Sequence, residues 1–227
     1  MTTVNRLSQV LIALLGIAVP AYAAYEAGRR GLADWISVRA RFQVVSWAEK
    51  RTVPSQEHWQ RAVDALGAAQ RLAPEDPSLY DHLGVAYELA AAAFDPKGRW
   101  NVHTEFALLH FQQAAARRPT SPYSWASIAT MKYRLGRIDE ELFQALALSM
   151  RLGPWEPQVQ IMVSDLGLAL WDRLDTHQKG EIRENWRRTA VRQADQLAKL
   201  AIARKRVDLL CKTSLDALKN RLECKRK

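Results

Sequence analysis

Three Pro-x-x-Pro units punctuate the middle of the chain: Pro74-Glu75-Asp76-Pro77, Pro119-Thr120-Ser121-Pro122 and Pro154-Trp155-Glu156-Pro157. Taken alone, such motifs are ligands for proline-reading modules. Their flanks give a different meaning. Three residues after each second proline stand Tyr80, Trp125 and Gln160. Six after stand Leu83, Ile128 and Val163, and seven after the small residues Gly84, Ala129 and Ser164. Counting back from each first proline, five before come Ala69, Ala114 and Ser149. Eight before come Leu66, Phe111 and Leu146, and twelve before Ala62, Ala107 and Leu142. Large and small side chains thus recur in register on both sides of a proline turn. Proline is tolerated in the first turn of a helix and breaks its interior, so each unit reads as a helix ending and another beginning. No stretch alternates polar and apolar residues as a half-buried strand would.

The units lie 45 and then 35 residues apart. A period near 34 with aromatic–Leu–Gly, then Ala, then Pro is the tetratricopeptide (TPR) pattern. Asp76-Pro77-Ser78-Leu79-Tyr80-Asp81-His82-Leu83-Gly84-Val85-Ala86-Tyr87 resembles it best. In such a unit two antiparallel helices pack closely where residues are small, and large residues fill the groove between them. The second unit is longer by about 11 residues, which fall around Phe94-Asp95-Pro96-Lys97-Gly98-Arg99-Trp100-Asn101 and read as an inserted loop. The third needs a one-residue insertion at Glu141 and Leu142. The spacing predicts helices over about 32–50, 55–73, 77–93, 103–118, 121–135, 138–152 and 156–174, with Ser55 as a cap and Gly136 in a turn. Two long amphipathic helices, about 178–203 and 205–223, would close the last unit's apolar face.

Leu7 to Tyr25 is a run without charge between Arg6 and Glu26. Nineteen helical residues span roughly 28 Å, close to the hydrocarbon thickness of a bilayer. Pro20 is tolerable there and Tyr22 and Tyr25 suit the interface. Two readings stay open: a retained anchor, which we favour, and a signal peptide cleaved after Ala21-Tyr22-Ala23. Orientation is open as well. Arg29, Arg30, Arg39 and Arg41 follow the span and only Arg6 precedes it, which favours a cytoplasmic domain. The Ala-x-Ala signature and short leading tail suit a domain outside.

The expected fold is therefore all-α: a TPR-like helical-hairpin solenoid with C-terminal capping helices, preceded by one transmembrane helix. Its expected parts are a membrane anchor (1–31), helical repeats (32–176) and basic capping helices (177–227).

Charge is concentrated in the last part. The chain carries 33 Lys+Arg and 24 Asp+Glu, a net charge of +9. Residues 179–227 hold 15 of the bases and 6 of the acids, so the entire excess is theirs. Arg187, Arg188, Arg192, Arg204, Lys205 and Arg206 form the expected basic surface. It would meet an anionic polysaccharide, anionic lipid or nucleic acid, although no nucleic-acid-binding motif accompanies it. A solubilising helix face is the bland alternative.

No catalytic constellation is evident. The five histidines (His58, His82, His103, His110, His177) form no metal-ligand motif, although His103 and His110 share a predicted helix face. No phosphate loop or nucleophile elbow is present. We expect no enzyme activity, no metal and no cofactor. Cys211 and Cys224 lie 13 apart, about 20 Å on a continuous helix, and are not expected to pair. Trp47, Trp59, Trp125, Trp171 and Trp186 fit core positions, whereas Trp100 and Trp155 are the candidates for exposed contacts. The groove of a TPR array is lined by the first helix of each hairpin. Asp81, His82, Val85, Tyr123, Ser127 and Lys132 are its candidates for reading a protein partner.

Arg118-Pro119-Thr120-Ser121-Pro122-Tyr123-Ser124-Trp125, Leu152-Gly153-Pro154-Trp155-Glu156-Pro157 and Leu170-Trp171, with the N-terminal span and the overall length, resemble the small membrane-anchored proteins of Gram-negative exopolysaccharide-production clusters, the VpsP type. The resemblance covers most of the chain. It implies an inner-membrane, single-pass protein whose domain lies in the periplasm. It further implies a non-enzymatic scaffold role in polysaccharide synthesis or export, through contacts with polysaccharide-assembly components. No catalytic residues carry over.

Overall fold

The computed structural model describes residues 2–50, 52, 54–94, 102–213, 218, 221, 222 and 224 of the 227. Among them every regular element is helical, and no strand occurs. In chain order they are α1 (Thr2–Lys50), α2 (Gln56–Leu72), α3 (Pro77–Phe94), α4 (Val102–Arg117), α5 (Pro122–Arg134), α6 (Glu140–Leu152), α7 (Pro157–Leu170), α8 (Thr176–Ala203) and α9 (Val207–Cys211), with a short 3₁₀ turn at Trp171–Arg173. The pairs α1–α2, α3–α4, α5–α6 and α7–α8 form four successive hairpins. The first helices of neighbouring hairpins also touch, α1 on α3 and α5 on α7.

The three proline turns explain the recurring residues. Each has the same backbone bonding: Ala73 N–H to Ala69, Arg118 N–H to Ala114 and Gly153 N–H to Ser149 close the outgoing helix. Asp76, Ser121 and Glu156 N–H then close the turn three residues back. In each turn one side chain reaches back to the carbonyl of the first proline. Tyr80 Oη donates to Pro74 (3.0 Å), Trp125 Nε1 to Pro119 (2.8 Å) and Gln160 Nε2 to Pro154 (2.8 Å). The position is shared by three chemically different residues because it needs a long side chain ending in a donor. A turn carbonyl that cannot be bonded by a proline nitrogen is thereby satisfied.

Small residues are required where helices cross. A Cβ on Gly84 would lie 2.6 Å from Phe111, and one on Gly167 2.6 Å from Ile182, so α3 meets α4 and α7 meets α8 at glycine. Gly136 turns α5 into α6 with φ +71°, a conformation that glycine adopts without strain. Caps are supplied by Ser55, as expected, and by Ser121, Asp139 and Asp175; Asp175 forms a capping box with Gln178.

Two buried clusters result. Ala33, Ala40, Val44, Trp59, Leu66, Leu79 and Leu83 join α1, α2 and α3. Phe111, Ile128, Met131, Leu142, Leu166, Ile182 and Trp186 lead the larger cluster of α4 to α9. Val85 and Tyr87 of α3 pack against both.

The C-terminal segment departs from expectation. The helix expected over 178–203 is present as α8, with a break at Gln193 (φ −133°, ψ 33°). Of the helix expected over 205–223, α9 (Val207–Cys211) is present and Leu218 is helical, while Lys205 and Arg206 break it from α8. Cys211 and Cys224 form a disulfide with a Cα–Cα distance of 5.6 Å. The expectation that they stay apart fails because it assumed one uninterrupted helix between them. Leu210, Leu218 and Leu222 are buried, and Arg204 clamps Asp165 of α7 through two 2.7 Å bonds.

The N-terminal segment is one helix. Its membrane-length portion runs directly into the half that packs on α2 and α3, and the helix is long and apolar enough to cross a membrane. Ala33, Ser37, Ala40 and Val44 face inward.

Candidate functional site

Two of the residues expected to line a groove along the first helices, Asp81 and Tyr123, join neighbouring hairpins, as do two arginines of α1. On α1, Arg29 bonds Glu75 (3.0 Å) and Arg41 bonds Asp76 (3.1 Å), both in the first proline turn. On α3, Asp81 accepts from Ser124 (2.8 Å) and Arg118 (2.7 Å) at the second turn. On α5, Tyr123 donates to Glu156 at the third. Each first helix thus sends a polar side chain to the turn of the next unit. The half-buried Asp81 has its pKa raised by loss of water, which outweighs the opposing bonds from Ser124 and Arg118. Tyr123 is pushed up to about 12, first by its hydrogen bond to Glu156, which a phenolate would lose.

The other groove candidates are also accounted for locally. His82 Nδ1 lies 2.6 Å from the Ser78 carbonyl one turn back. Val85 packs between the two clusters. Ser127 and Lys132, expected on an open face, are buried. The Lys132 side chain is only 5% exposed and its ammonium meets Asp139 (2.9 Å) and Glu141. Burial pulls the lysine pKa down, but the bonds and charges of the two carboxylates outweigh it and the net shift is upward. Both carboxylates are held low, each chiefly by its bond with Lys132. A lysine at the end of α5 can reach α6 because Gly136 folds the hairpin tightly.

The open concavity lies elsewhere, between the second helices α6 and α8. It is a trough of about 1010 Å³ walled by Gln144, Leu148, Arg151, His177, Glu181, Glu184 and Arg188. It carries both signs of charge, Arg151 and Arg188 with Glu181 and Glu184, and Asn185 in its lining is turned inward, bonding Ser164 (2.9 Å) and the Gln160 carbonyl (3.0 Å). At its rim Trp155 is 67% exposed, with the Arg188 guanidinium 5.3 Å from its ring. Trp155 is therefore exposed as the sequence predicted; Trp100 lies outside the described residues. A smaller hollow of about 440 Å³ lies over α4, with Phe106 and Leu109 between Glu105, Arg137 and Glu141, and the groove candidate Lys132 in its wall.

No protein-family model matches the chain, and no curated protein is significantly similar to it.

The expected basic surface is only partly a surface. Arg187 and Arg188 pair with Glu184. Arg204 is half-buried on Asp165 and Tyr133, and Arg206 pairs with Asp172. Arg204 thus fastens the closing segment to α7, and Arg206 fastens it to the 3₁₀ turn that follows. Arg192 and Lys205 have no ion pair among the described residues, and Lys205 takes φ 56° at the α8–α9 break.

The histidine pair on α4 is structural as well. His103 and His110 stack against Tyr87, with centroids 6.1 and 5.4 Å away, in an aromatic layer completed by Trp59 and Phe106. Burial lowers the His110 pKa. No group of three or more His, Cys, Asp or Glu among the described residues is arranged to hold a metal.

Proposed function

We propose that the chain is a membrane-anchored scaffold of the tetratricopeptide type that works through protein–protein contacts, without catalysis, in exopolysaccharide synthesis or export. One observation carries the reading: the apolar half of α1 and the half that builds the first hairpin are one uninterrupted helix. A stack joined in this way stands at a fixed height and angle on the bilayer, which suits a part that positions others. The hairpin succession, the small-residue crossings at Gly84 and Gly167, and contacts between first helices support the repeat type. The α6–α8 trough offers both signs of charge beside an exposed tryptophan, chemistry that suits a polypeptide segment. The Cys211–Cys224 disulfide supports a domain outside the cytoplasm, where such bonds persist, and hence a periplasmic location.

The test is affinity capture of the full-length protein from detergent-solubilised membranes, alongside Trp155→Ala and Arg188→Glu. Polymerase or export components of a polysaccharide machine should be recovered with the parent chain and depleted with the trough variants. Recovery of general chaperones alone would reject the reading. A reporter fused after Lys227 should report the non-cytoplasmic side.

A further inference from the structure

The face of α1 turned away from its own domain carries a second message. Ala33, Ser37, Ala40 and Val44 mark the inward face. On the opposite side Val10, Leu14, Ile17, Ala21, Ala24, Gly28, Gly31, Trp35, Val38, Phe42 and Val45 follow one another at alternating steps of four and three, all exposed. That is a heptad seam, with the a positions at Leu14, Ala21, Gly28, Trp35 and Phe42, and no charged residue interrupts it. Trp35 is 77% and Phe42 73% exposed. A seam with a strict seven-residue period is the pattern of a helix that pairs with another helix.

We propose that α1 pairs in parallel with α1 of a second copy of this chain, through the membrane and on into the domain, so that the scaffold is a dimer. The charges beside the seam single out this occupant. Flanking the seam are Asp34 at a g position and Arg39 at the e position of the next heptad, five residues on. In a parallel, in-register pair, Asp34 of each helix meets Arg39 of the other, twice by symmetry. Antiparallel pairing would set like charges against each other. Asp34 is largely exposed, and its one ion pair is with Arg41 of its own helix; Arg39 has no ion pair among the described residues. Two copies inserted in one bilayer by the same route share their orientation, and the shared membrane raises their effective concentration.

The glycines point the same way. A Cβ on Gly28 or Gly31 would meet nothing within 4 Å in the chain, so no internal contact requires glycine, although it weakens a helix relative to alanine. With Ala21 and Ala24 they make a narrow waist on the seam, where a second helix backbone can approach closely. Lipid does not account for the outer half. Val45 lies twenty residues beyond Tyr25 on the same helix, about 30 Å from the end of the apolar run.

This inference rests on the anchor reading for its lower half, and the experiment separates the two. Single cysteines are introduced into the full-length protein at Val38 and Val45 on the seam and at Arg30 off it. Isolated membranes are then oxidised; Cys211 and Cys224 are already bonded to each other. Val38→Cys and Val45→Cys should give a cross-linked species of twice the 25.8 kDa chain mass, and Arg30→Cys should not. Trp35→Asp with Phe42→Asp should abolish the Val45→Cys cross-link while leaving the helical content intact, because both side chains are exposed. Asp34→Arg should weaken it, and adding Arg39→Asp should restore it. Cross-linking no stronger at Val38 and Val45 than at Arg30, in protein that sediments with membranes, overturns the dimer and leaves the anchor standing. Seam-specific cross-linking in protein recovered as soluble overturns the anchor and leaves the dimer.

Discussion

The two ends of the helical stack are finished in different ways. At the C-terminal end the chain covers itself. Ile182 and Trp186 of α8 lie over α7, Arg204 clamps Asp165, and the disulfide fixes the last turn. At the N-terminal end α1 covers α2 and α3 with one face and leaves Leu32, Trp35, Val38, Phe42 and Val45 exposed on the other. A stack of repeats exposes apolar surface at each end unless something caps it. One cap is built in. The other end is finished with a surface suited to a second helix, so the lower end is where assembly begins.

The largest test of this contrast is at the closed end. Trp186 is fully buried and stacks on Trp171 at 5.1 Å. Trp186→Ala should cost about 3–5 kcal/mol, the range for emptying a large aromatic site. Its Nε1 has no hydrogen-bond partner among the described residues, so Trp186→Phe should cost clearly less. At the open end Trp35→Ala should move the denaturation midpoint of the detergent-solubilised monomer hardly at all. Equal effects at the two ends, measured in urea, would remove the contrast.

Next in size is the disulfide. Closing the short loop between Cys211 and Cys224 is worth roughly 3 kcal/mol in the chain-entropy account. Cys211→Ser should lower stability by about that amount, and a reductant should do the same to the parent protein and nothing to the variant. Stability indifferent to both would show that Arg204 and the buried leucines hold the closing segment by themselves.

The contrast also sorts what the sequence discloses. The proline turns were legible because three copies show which positions repeat, and Gly136 and Ser55 were legible from single-residue chemistry. The role of Tyr80, Trp125 and Gln160 was half legible: their register was plain, but a shared donor function across three residue types emerges only from the carbonyl each one reaches. The local partners of the groove candidates were not legible, because helix position says which side a residue lies on and not what the next turn places there. Asp81 and Tyr123 meet partners 43 and 33 residues away. The closing segment was illegible for a simpler reason. Residues 205–227 contain no Gly or Pro to announce that the chain brings Cys224 back to Cys211.

The turns themselves allow a finer comparison. The Pro74 carbonyl has a second donor, Arg117 Nε at 2.6 Å, whereas among the described residues Gln160 alone donates a side-chain bond to Pro154. Gln160→Met should therefore cost about 1–1.5 kcal/mol by stranding an acceptor, and Tyr80→Phe only about 0.5. The reverse order would mean that the tyrosine ring, under the Arg117 guanidinium at 4.0 Å, matters for its stacking more than for its hydroxyl.

The smallest expected effect is a pH dependence confined to the α5–α6 hairpin. Asp139 and Glu141 sit below their ordinary values of 3.8 and 4.5, each chiefly through Lys132. A carboxylate with a lowered folded-state pKa stabilises the fold above its unfolded value and loses that contribution as pH falls through the folded one. Lys132 is shifted up from 10.5, so its share is present below that value and fades as pH rises through the folded pKa. The triangle therefore contributes fully between about pH 5 and pH 10. Both acids are about half exposed, so Glu141→Gln should cost less than about 1 kcal/mol near neutrality. The difference between parent and variant should be smaller at about pH 2 than at about pH 7, because protonation of Glu141 as pH falls through its lowered folded-state value removes its charge. Urea midpoints at these two pH values decide it: a gap that persists in acid would mean that Glu141 acts through its bond from Gln112 (2.7 Å) rather than through its charge.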